Sequence, residues 1–320
     1  MRKMYEPKPK FVERINNLLR DEVDIKKFFE FSRTFPKKAI RCNTLKISPN
    51  ELIDRLKKKG WKLEQPFEDF PEIIIVNSKL EPGEIGKSVE HILGYYYVQE
   101  ITSMMPIIAL NSKADESILD LCAAPGSKTT QMASFMENKG NIIANDISIG
   151  RIIILSSNLE RCGVTNSIIT RHNALELCER LKKLNMKFDK ILVDAPCSGE
   201  GNLRCSPRTL LEWSEGLLES LGRKQKKILN SAVELLKDDG EIVYSTCTYA
   251  PEENEMVIQD LLEKKDFKIV PVKLPLKTRN GLSEWKGNKF DKNMKDAVRI
   301  YHHDNDMEGF FVCKLRRKNL

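Results

Sequence analysis

Two short segments of the sequence combine a cysteine with residues that assist nucleophilic catalysis. DAPCSGEG carries Asp194 and Cys197, and STCTY carries Cys247. Each segment follows an apolar run that predicts a buried strand, so both cysteines are expected at strand ends. A buried cysteine is usually a small apolar side chain. A strand end beside an acid favours instead a reactive thiol at both positions.

A thiolate and an acid at one site suit covalent chemistry on an electron-poor ring. Carbon 5 of cytosine is too weak a nucleophile to take a methyl group directly, but a thiolate added to carbon 6 pushes electron density onto it. Asp194 would hold the ring nitrogen and exocyclic amine and supply a proton. Cys197 is the candidate base for the later loss of the carbon 5 proton. Lys128 is a candidate for lowering the pKa of the attacking thiol.

A loop of small residues marks the expected position of a nucleotide-like cofactor. SILDLCAAPGSK joins a predicted strand to a predicted helix, and open parallel sheets bind ligands at that edge. The next predicted strand ends at Asp146, which lies 20 residues after Gly126. An acid at this spacing accepts hydrogen bonds from ribose hydroxyls. Because the G-x-G-x-x-G fingerprint is absent, the loop favours a cofactor without pyrophosphate, with S-adenosylmethionine as the leading candidate.

The elements that must position these residues alternate between strand and helix from residue 112 onward. This alternation predicts a parallel sheet that brings the strand ends to one edge. A helix is expected from Pro251 to about Lys265, and AVRIYHH and GFFVCKL are expected to pair antiparallel at the sheet edge. The predicted fold class is therefore α/β, with a Rossmann-like sheet in a domain spanning 112–320.

Residues 1–111 predict a smaller α+β domain that contacts RNA. Residues 1 to about 35 have helical spacing of apolar positions, and AIRCNTLKI and EIIIVNS are strand candidates. Between them a helix is expected to begin at Ser48 and Pro49 and to end at Gly60. The candidates for contacts to phosphate are basic residues, although the lysines at 57–59 equally fit a solvated helix end: Lys37, Lys38, Arg41, Lys57, Lys58 and Lys59.

Composition limits the classes of protein that remain. The 53 Lys and Arg residues against 46 Asp and Glu give a net charge of +7, which favours a polyanionic partner. No apolar run reaches the roughly 18 residues of a membrane span, and the first residues do not resemble a signal peptide, so a cytoplasmic protein is expected. The eight cysteines occur singly, which predicts free thiols and no structural metal site.

The motifs DLCAAPGSKT, DAPCSGEG and STCTY together resemble those of the sun/NOP family of RNA 5-methylcytosine methyltransferases. RCNTLKI, YVQEITSMMP and GFFVCKLRR extend the resemblance over nearly the whole chain. In that family the cysteine of the TC motif is the nucleophile, which implies Cys247, and the cysteine of the PC motif assists product release, which implies Cys197. DNA cytosine methyltransferases instead attack with the PC cysteine, so Cys197 is the alternative nucleophile.

The resemblance also implies a class I methyltransferase sheet and an S-adenosylmethionine site. Asn173 replaces an acid that is common in the family, and Tyr301 replaces a proline before His302. The tyrosine is expected to affect only the edge strand, and His302 is expected to be structural. The implied cofactor-binding residues are Cys122, Ala123, Ala124, Pro125, Gly126, Ser127, Lys128, Asp146, Arg151, Asn173 and Asp194.

The compact chain resembles archaeal-type members of the family that act on tRNA. Its target should be an unpaired cytosine or one flipped out of a helix. Three other functions stay open: methylation of ribosomal RNA, a non-catalytic RNA-binding assembly factor, and an oxidoreductase, which the missing glycine fingerprint disfavours. A monomer is expected, and the need for a partner protein is left open.

Overall fold

The structure is a computed structural model that describes residues 5–318, so the first four residues of the predicted helical segment lie outside it. The helices are α1 Pro9–Leu19, α2 Glu22–Ser32, α3 Pro49–Lys58, α4 Glu84–Lys87, α5 Val89–Ile92, α6 Met105–Leu110, α7 Ser127–Phe135, α8 Ile149–Cys162, α9 Ala174–Lys183, α10 Thr209–Glu212, α11 Glu215–Ala232, α12 Glu255–Lys264 and α13 His302–Asn305. The strands are β1 Lys38–Cys42, β2 Leu63–Glu64, β3 Ile73–Val76, β4 Tyr96–Val98, β5 Ser117–Asp120, β6 Asn141–Asn145, β7 Ser167–Thr170, β8 Phe188–Asp194, β9 Leu236–Thr246, β10 Phe267–Val270, β11 Arg279–Asn280, β12 Glu284–Trp285, β13 Asn288–Lys289, β14 Val298–Ile300 and β15 Phe310–Arg317.

Helix α3 has the ends that its sequence predicts. The Ser48 hydroxyl accepts a hydrogen bond from the Glu51 backbone at 3.3 Å, and Pro49 occupies the first helical position. A serine cap satisfies one of the backbone donors that the first turn leaves unpaired. Gly60 follows the helix with a φ of +84°, a conformation that favours glycine. Both predicted ends of this helix are confirmed.

The smaller sheet has the strand order β2-β3-β1-β4, with all neighbours antiparallel. Helix α3 covers one face, where Leu52 and Leu56 share a buried cluster with Ile40 and Ile74. The opposite face joins a larger core that also contains α6 and side chains of the large sheet. The small sheet is therefore packed directly onto the rest of the molecule.

The large sheet confirms the predicted α/β class. Its order is β11-β14-β15-β9-β8-β5-β6-β7, and β10 also pairs with β15. Five neighbouring strands are parallel to one another, in the sheet order β7-β6-β5-β8-β9. Strand β15 runs antiparallel to both β9 and β14. The predicted pairing of the last two strands is thus confirmed. Among residues 5–318, no helix is long and apolar enough to cross a membrane.

Helices α1 and α2 pack against residues that lie far along the chain. Phe11 and Phe28 share a buried cluster with Trp213, Tyr249 and other residues that follow β8. An ion pair of 2.6 Å between the side chains of Arg14 and Glu252 reinforces this contact. The N-terminal helices therefore cover the large sheet domain, and the division at residue 111 stays a prediction.

The predicted helix at Pro251 begins later, at Glu255. The Asn254 side chain accepts a hydrogen bond from the Thr246 hydroxyl at 2.5 Å and donates one to the Thr248 carbonyl at 2.9 Å. These bonds hold residues 251–254 in turns rather than in a helix. As a consequence, Glu253 is directed toward the loop after β8.

His302 is structural, as predicted. Its ring is buried and lies 2.7 Å from the Tyr249 hydroxyl and 2.8 Å from the Phe28 carbonyl. Burial lowers the pKa of His302 to about 3, so the ring is neutral at physiological pH. The expectation for Tyr301 was wrong, because its ring stacks on Tyr249 at 5.1 Å and so reaches the segment that follows Cys247.

Candidate active site

The carboxyl ends of the central parallel strands meet at one edge of the large sheet. Strands β5, β6 and β8 end at Asp120, Asn145 and Asp194, and β9 ends at Thr246. Because neighbouring parallel strands end at the same side, residues that are far apart in sequence become neighbours there. The loop after β8 and the residue after β9 contribute the two cysteines of the sequence motifs.

Cys197 and Cys247 form a thiol pair. Their sulfur atoms lie 3.1 Å apart, and the Asn202 side-chain nitrogen lies 3.2 Å from the sulfur of Cys247. Both cysteines are half-buried rather than sealed in the core. A base that enters this edge would meet both sulfur atoms.

The loop after β8 is fixed directly to the backbone of Cys247. The Gly201 nitrogen donates to the Cys247 carbonyl at 2.8 Å, and the Gly309 nitrogen donates to the Gly201 carbonyl at 2.9 Å. A Cβ atom at Gly201 would lie 2.2 Å from the Gly309 carbonyl oxygen. Only glycine permits this close approach, which explains the GEG sequence after the first cysteine.

The thiol of Cys197 holds its own proton firmly. Its hydrogen bond with Cys247, together with burial, raises the pKa of the Cys197 thiol well above the usual value. Cys197 is therefore a protonated thiol at neutral pH that can donate toward the Cys247 sulfur, 3.1 Å away. The Asn202 amide is a second donor within reach of that sulfur, and donors around a sulfur suit a nucleophile.

Asp194 is held beside the thiol pair by two side chains. Its carboxylate lies 2.7 Å from the Lys128 ammonium and accepts a 2.7 Å hydrogen bond from the Ser245 hydroxyl. Lys128 is almost fully buried, and it also donates to the Ser103 hydroxyl at 3.0 Å. Lys128 therefore pairs with the acid rather than with a thiol.

Two further acids lie near these strand ends, and sequence reasoning missed one of them, Glu253. Glu253 accepts hydrogen bonds from the Ser198 backbone at 3.0 Å and from Gln225 at 2.8 Å, and burial raises its pKa to about 7. Burial also raises the pKa of Asp120 to about 7, with the charge of Asp194 adding to the effect. Titratable groups poised near neutral pH are typical of reaction sites.

A cavity that is partly open to solvent, with about 480 Å³ of empty space including that opening, adjoins this region through Pro196, the residue before Cys197. It contains four of the predicted cofactor residues, namely Cys122, Asp146, Arg151 and Asn173. Sequence reasoning missed the others, which come from neighbouring strand ends and from α9 and α11. The lining residues are Leu121, Cys122, Asn145, Asp146, Ile147, Arg151, His172, Asn173, Ala174, Leu175, Pro196, Lys224 and Ile228.

Asp146 is the buried acid of this cavity. One carboxylate oxygen accepts a hydrogen bond from the Ser148 backbone at 3.0 Å, and the other lies 3.0 Å from the Arg151 guanidinium. Each carboxylate oxygen can accept more than one hydrogen bond, so acceptor capacity remains for hydroxyls. Apolar walls at Ile147 and Ile228 suit a flat heterocycle. The cavity therefore fits the adenosine part of S-adenosylmethionine.

The rest of the predicted loop, residues 123–128, does not line the cavity. The Ala124 carbonyl accepts a hydrogen bond from Arg151, and the Pro125 carbonyl accepts one from Asn158 at 2.9 Å. A Cβ at Gly126, whose φ is +102°, would lie 3.0 Å from Leu155 of α8. This glycine thus permits helix packing. Ala123 packs in a small apolar cluster with Ala124 and Leu155. Ser127 begins α7, and its carbonyl accepts a hydrogen bond from Arg41.

Arg41 does not contribute to a surface for RNA. Its side chain is buried and donates to Gln99, to the Ser127 carbonyl at 2.7 Å and to Thr130 at 2.8 Å. The expectation of a phosphate contact was wrong, because these bonds tie β1 to α7. Lys37 and Lys38 are exposed, as contacts to phosphate require.

Within residues 5–318, the side chains of Asp24, His303 and Asp304 lie close enough together to hold a metal ion. The Arg279 guanidinium already lies among them, 2.6 Å from Asp304 and 2.8 Å from Asp24. A cation in this position takes the place of a metal ion. The cluster is therefore an ion-pair network that attaches α2 to the C-terminal region.

Comparison with known proteins agrees with this geometry. Residues 107–316 match the family described as 16S rRNA methyltransferase RsmB/F, and residues 8–101 match the N-terminal domain of 16S rRNA methyltransferase RsmF. The tRNA (cytosine(49)-C(5))-methyltransferase of Pyrococcus abyssi is 39% identical over 309 residues, which are 96% of each chain. Ribosomal RNA small subunit methyltransferase F of Vibrio cholerae is 36% identical over 97% of this chain, which spans 64% of that protein.

Solved structures lead to the same family. A methyltransferase homolog from Pyrococcus horikoshii superposes with a TM-score of 0.80 at 31% identity, covering 97% of this chain and 99% of the other. NSun6 from the same organism, solved with the S-adenosylmethionine analogue SFG, gives a TM-score of 0.82 at 26% identity, covering 97% and 98%. The chain therefore belongs to the RsmB/F family, the sun/NOP group of S-adenosylmethionine-dependent RNA cytosine-5 methyltransferases.

Proposed function

We propose that this protein methylates carbon 5 of a cytosine in tRNA, with Cys247 as the covalent nucleophile. The observation that carries the proposal is the thiol pair, whose sulfur atoms lie 3.1 Å apart just beyond the ends of β8 and β9. A non-catalytic assembly factor would need no such pair. S-adenosylmethionine, when bound, supplies an electrophilic methyl group.

The reaction begins when the Cys247 thiolate forms a bond to carbon 6 of the cytosine. Electrons of the ring double bond then move toward carbon 5, which becomes nucleophilic. Bound S-adenosylmethionine would supply the methyl group to carbon 5, and its methyl–sulfur bond would break to leave S-adenosylhomocysteine. Lys128 and Ser245 fix the carboxyl group of Asp194. It accepts a hydrogen bond from the exocyclic amine, and a proton shared between it and the ring nitrogen balances the charge that develops on that nitrogen as the adduct forms. The chain thus activates the base and fixes its orientation before methyl transfer.

Release requires removal of the carbon 5 proton, reformation of the ring double bond and cleavage of the bond between sulfur and carbon 6. Cys197 is the base for this step. The largest cause that raises its pKa is the hydrogen bond with Cys247. Once the Cys247 sulfur is bonded to carbon, it accepts hydrogen bonds more weakly than a thiolate does. The pKa of Cys197 therefore falls at the stage when a base is needed.

Asp146, Arg151, Asn173 and Cys122 are the proposed contacts to the cofactor, with Asp146 accepting from the ribose hydroxyls. Asn173 caps α9 by accepting from the Leu175 backbone at 3.0 Å, so its amide nitrogen is available to a ligand. Residues 123–128 act by fixing Arg151 and α7 behind the cavity.

Similarity to a tRNA enzyme favours tRNA as the substrate. This chain is 39% identical to the tRNA (cytosine(49)-C(5))-methyltransferase of Pyrococcus abyssi and 36% identical to the ribosomal RNA enzyme of Vibrio cholerae. Ribosomal RNA is the second candidate, because the matched family is described by 16S rRNA methyltransferases. Exposed Lys37 and Lys38 would contact phosphates of either RNA, with an affinity that falls as salt rises.

The test is transfer of labelled methyl from S-adenosylmethionine to unmodified tRNA and, separately, to 16S ribosomal RNA, followed by nucleoside analysis. Labelled 5-methylcytidine in tRNA is the expected result, and Cys247→Ala should give none. Label confined to ribosomal RNA would contradict the proposed substrate. Label in neither RNA from the folded, cofactor-binding protein would contradict the activity itself.

A further inference from the structure

Asn202 contacts the sulfur of Cys247 directly. Its side-chain nitrogen lies 3.2 Å from that sulfur, close to the 3.1 Å that separates the two sulfur atoms. Asn202 is half-buried and belongs to the turn after the PC motif. Neither cofactor binding nor the contacts to the base described above uses this residue.

The backbone around Asn202 holds the amide in this position. Its nitrogen donates to the Gly199 carbonyl at 2.9 Å, and its carbonyl accepts from the backbones of Cys205 and Ser206 at 3.1 and 2.7 Å. Gly201, the preceding residue, is bonded to the Cys247 carbonyl. The turn that carries the amide and the backbone that carries the sulfur are therefore one rigid unit.

We propose that Asn202 is a positioning residue that stabilises the thiolate form of Cys247; this proposal rests on the proposed role of Cys247 as nucleophile. An amide N–H is a donor, and a thiolate accepts hydrogen bonds far better than a neutral thiol does. The Asn202 amide therefore stabilises the thiolate and fixes the position of its sulfur. With Cys197 as the second donor, two groups can donate to the thiolate.

Other titratable groups surround the pair, and the proposed test leaves them unchanged. The loop after β8 contributes Cys197 and Glu200, the end of β8 contributes Asp194 with its partner Lys128, and the turn before α12 contributes Glu253. Glu200 accepts a hydrogen bond from Thr248 at 3.1 Å, directly after Cys247. A change confined to Asn202 therefore reports the effect of its own amide.

The experiment measures alkylation of Cys247 by iodoacetamide as a function of pH in the full chain, with the Cys247 peptide quantified by mass spectrometry. In Asn202→Ala the rate at pH 7 should fall about tenfold, because the thiolate loses one donor. Asn202→Asp keeps the shape of the side chain but places a carboxylate against the sulfur. Its rate should fall further than that of Asn202→Ala.

A packing role predicts the opposite order, because Asn202→Asp preserves the shape that Asn202→Ala removes. Equal rates in all three proteins, or a slower rate in Asn202→Ala than in Asn202→Asp, would overturn the proposal. Asn230→Asp is the matched control, since Asn230 lies on α11 and bonds to Asp260 rather than to a thiol. Its alkylation profile should equal that of the unmodified protein.

Methyl transfer to RNA provides the second measurement. In Asn202→Ala the pH at which turnover reaches half its maximum should move upward together with the alkylation profile. If Cys247→Ala retains turnover, the nucleophile is wrong and the proposed function fails at that residue. If Cys247→Ala is inactive but the Asn202 variants leave both profiles unchanged, only the role of Asn202 is refuted.

Discussion

Glu253 and Glu255 lie at the start of α12, and both are buried, yet their carboxylates have different surroundings. Glu255 accepts two hydrogen bonds of 2.6 Å from the Arg299 guanidinium and one of 3.1 Å from the Leu282 backbone. Glu253 faces the thiol pair without a cation, and within the described chain one of its oxygens has no hydrogen-bond partner.

This difference in pairing separates a carboxylate that holds the fold together from one that lies at the reaction site. A buried carboxylate that is fully paired fixes the packing of the elements around it, and removal of its partner is strongly destabilising. A buried carboxyl without a cation keeps a raised pKa and stores free energy at the place where chemistry occurs. We therefore expect changes in the thiol region to affect turnover, and changes around Arg299 to affect stability.

Replacement of the nucleophile should have the largest effect. Cys247→Ala removes the atom that bonds to carbon 6, so turnover should fall by more than about a thousandfold. Affinity for S-adenosylmethionine, measured by calorimetry, should stay within about twofold, because the cavity does not include Cys247. Retained turnover would transfer the role to Cys197.

Cys197→Ala should slow release rather than attack. Without its base, the adduct loses its carbon 5 proton slowly, and turnover should fall by about a hundredfold or more. A band of protein bonded to RNA should then appear on a denaturing gel. The double variant Cys197→Ala with Cys247→Ala is the control and should give no such band. Absence of the band from Cys197→Ala alone would remove the role in release.

The scaffold side of the comparison is tested at Arg299. Arg299→Met leaves the Glu255 carboxylate buried without its cation, which should lower the free energy of unfolding by about 3–5 kcal/mol. Addition of Glu255→Leu should recover part of the loss, because no uncompensated charge remains. Denaturant titration measures both values. Equal stabilities of Arg299→Met and the unmodified protein would contradict the assignment of this pair to the scaffold.

The sequence predicted the parts of the site that depend on strand order. Asp194, Cys197 and Cys247 follow apolar runs, and the parallel sheet brings such strand ends together whatever their separation in sequence. The same rule predicted the position of Asp146. Local signals also sufficed for the cap of α3.

Residues that reach the site through tertiary packing were not predictable. Lys224 lines the cavity from α11, and Gln225, its neighbour, bonds to Glu253. On a helix surface a lysine next to a glutamine indicates only a solvated face. Arg41 was wrongly expected at the surface, because its buried partners Gln99 and Thr130 lie far along the chain. Pattern alone does not reveal which faces meet.

Cofactor affinity should change less than turnover does. Asp146→Ala removes the proposed acceptor of ribose hydroxyls and also releases Arg151 from its ion pair. We expect binding of S-adenosylmethionine to weaken about 10- to 100-fold, as for hydrogen bonds to a charged group. Calorimetry measures this change, and Asp260→Ala, which breaks an ion pair with Lys264 outside the cavity lining, is the control. Unchanged affinity in Asp146→Ala would refute the proposed contact.

The smallest expected effect concerns Glu253 itself and has a defined dependence on pH. Burial raises its pKa in the folded protein from the ordinary value of 4.5 to about 7. A carboxyl with a raised pKa contributes stability that is fully present below pH 4.5 and is lost as pH rises to about 7.

Glu253→Gln keeps an acceptor for the Ser198 backbone but cannot ionise. It should therefore raise the free energy of unfolding at pH 8 and leave it unchanged at pH 4. A matched Glu255→Gln variant should be destabilised at both pH values, since it weakens the bonds to Arg299. If Glu253→Gln were destabilised at pH 8 as strongly as Glu255→Gln, the distinction between the paired and the unpaired carboxyl would fail.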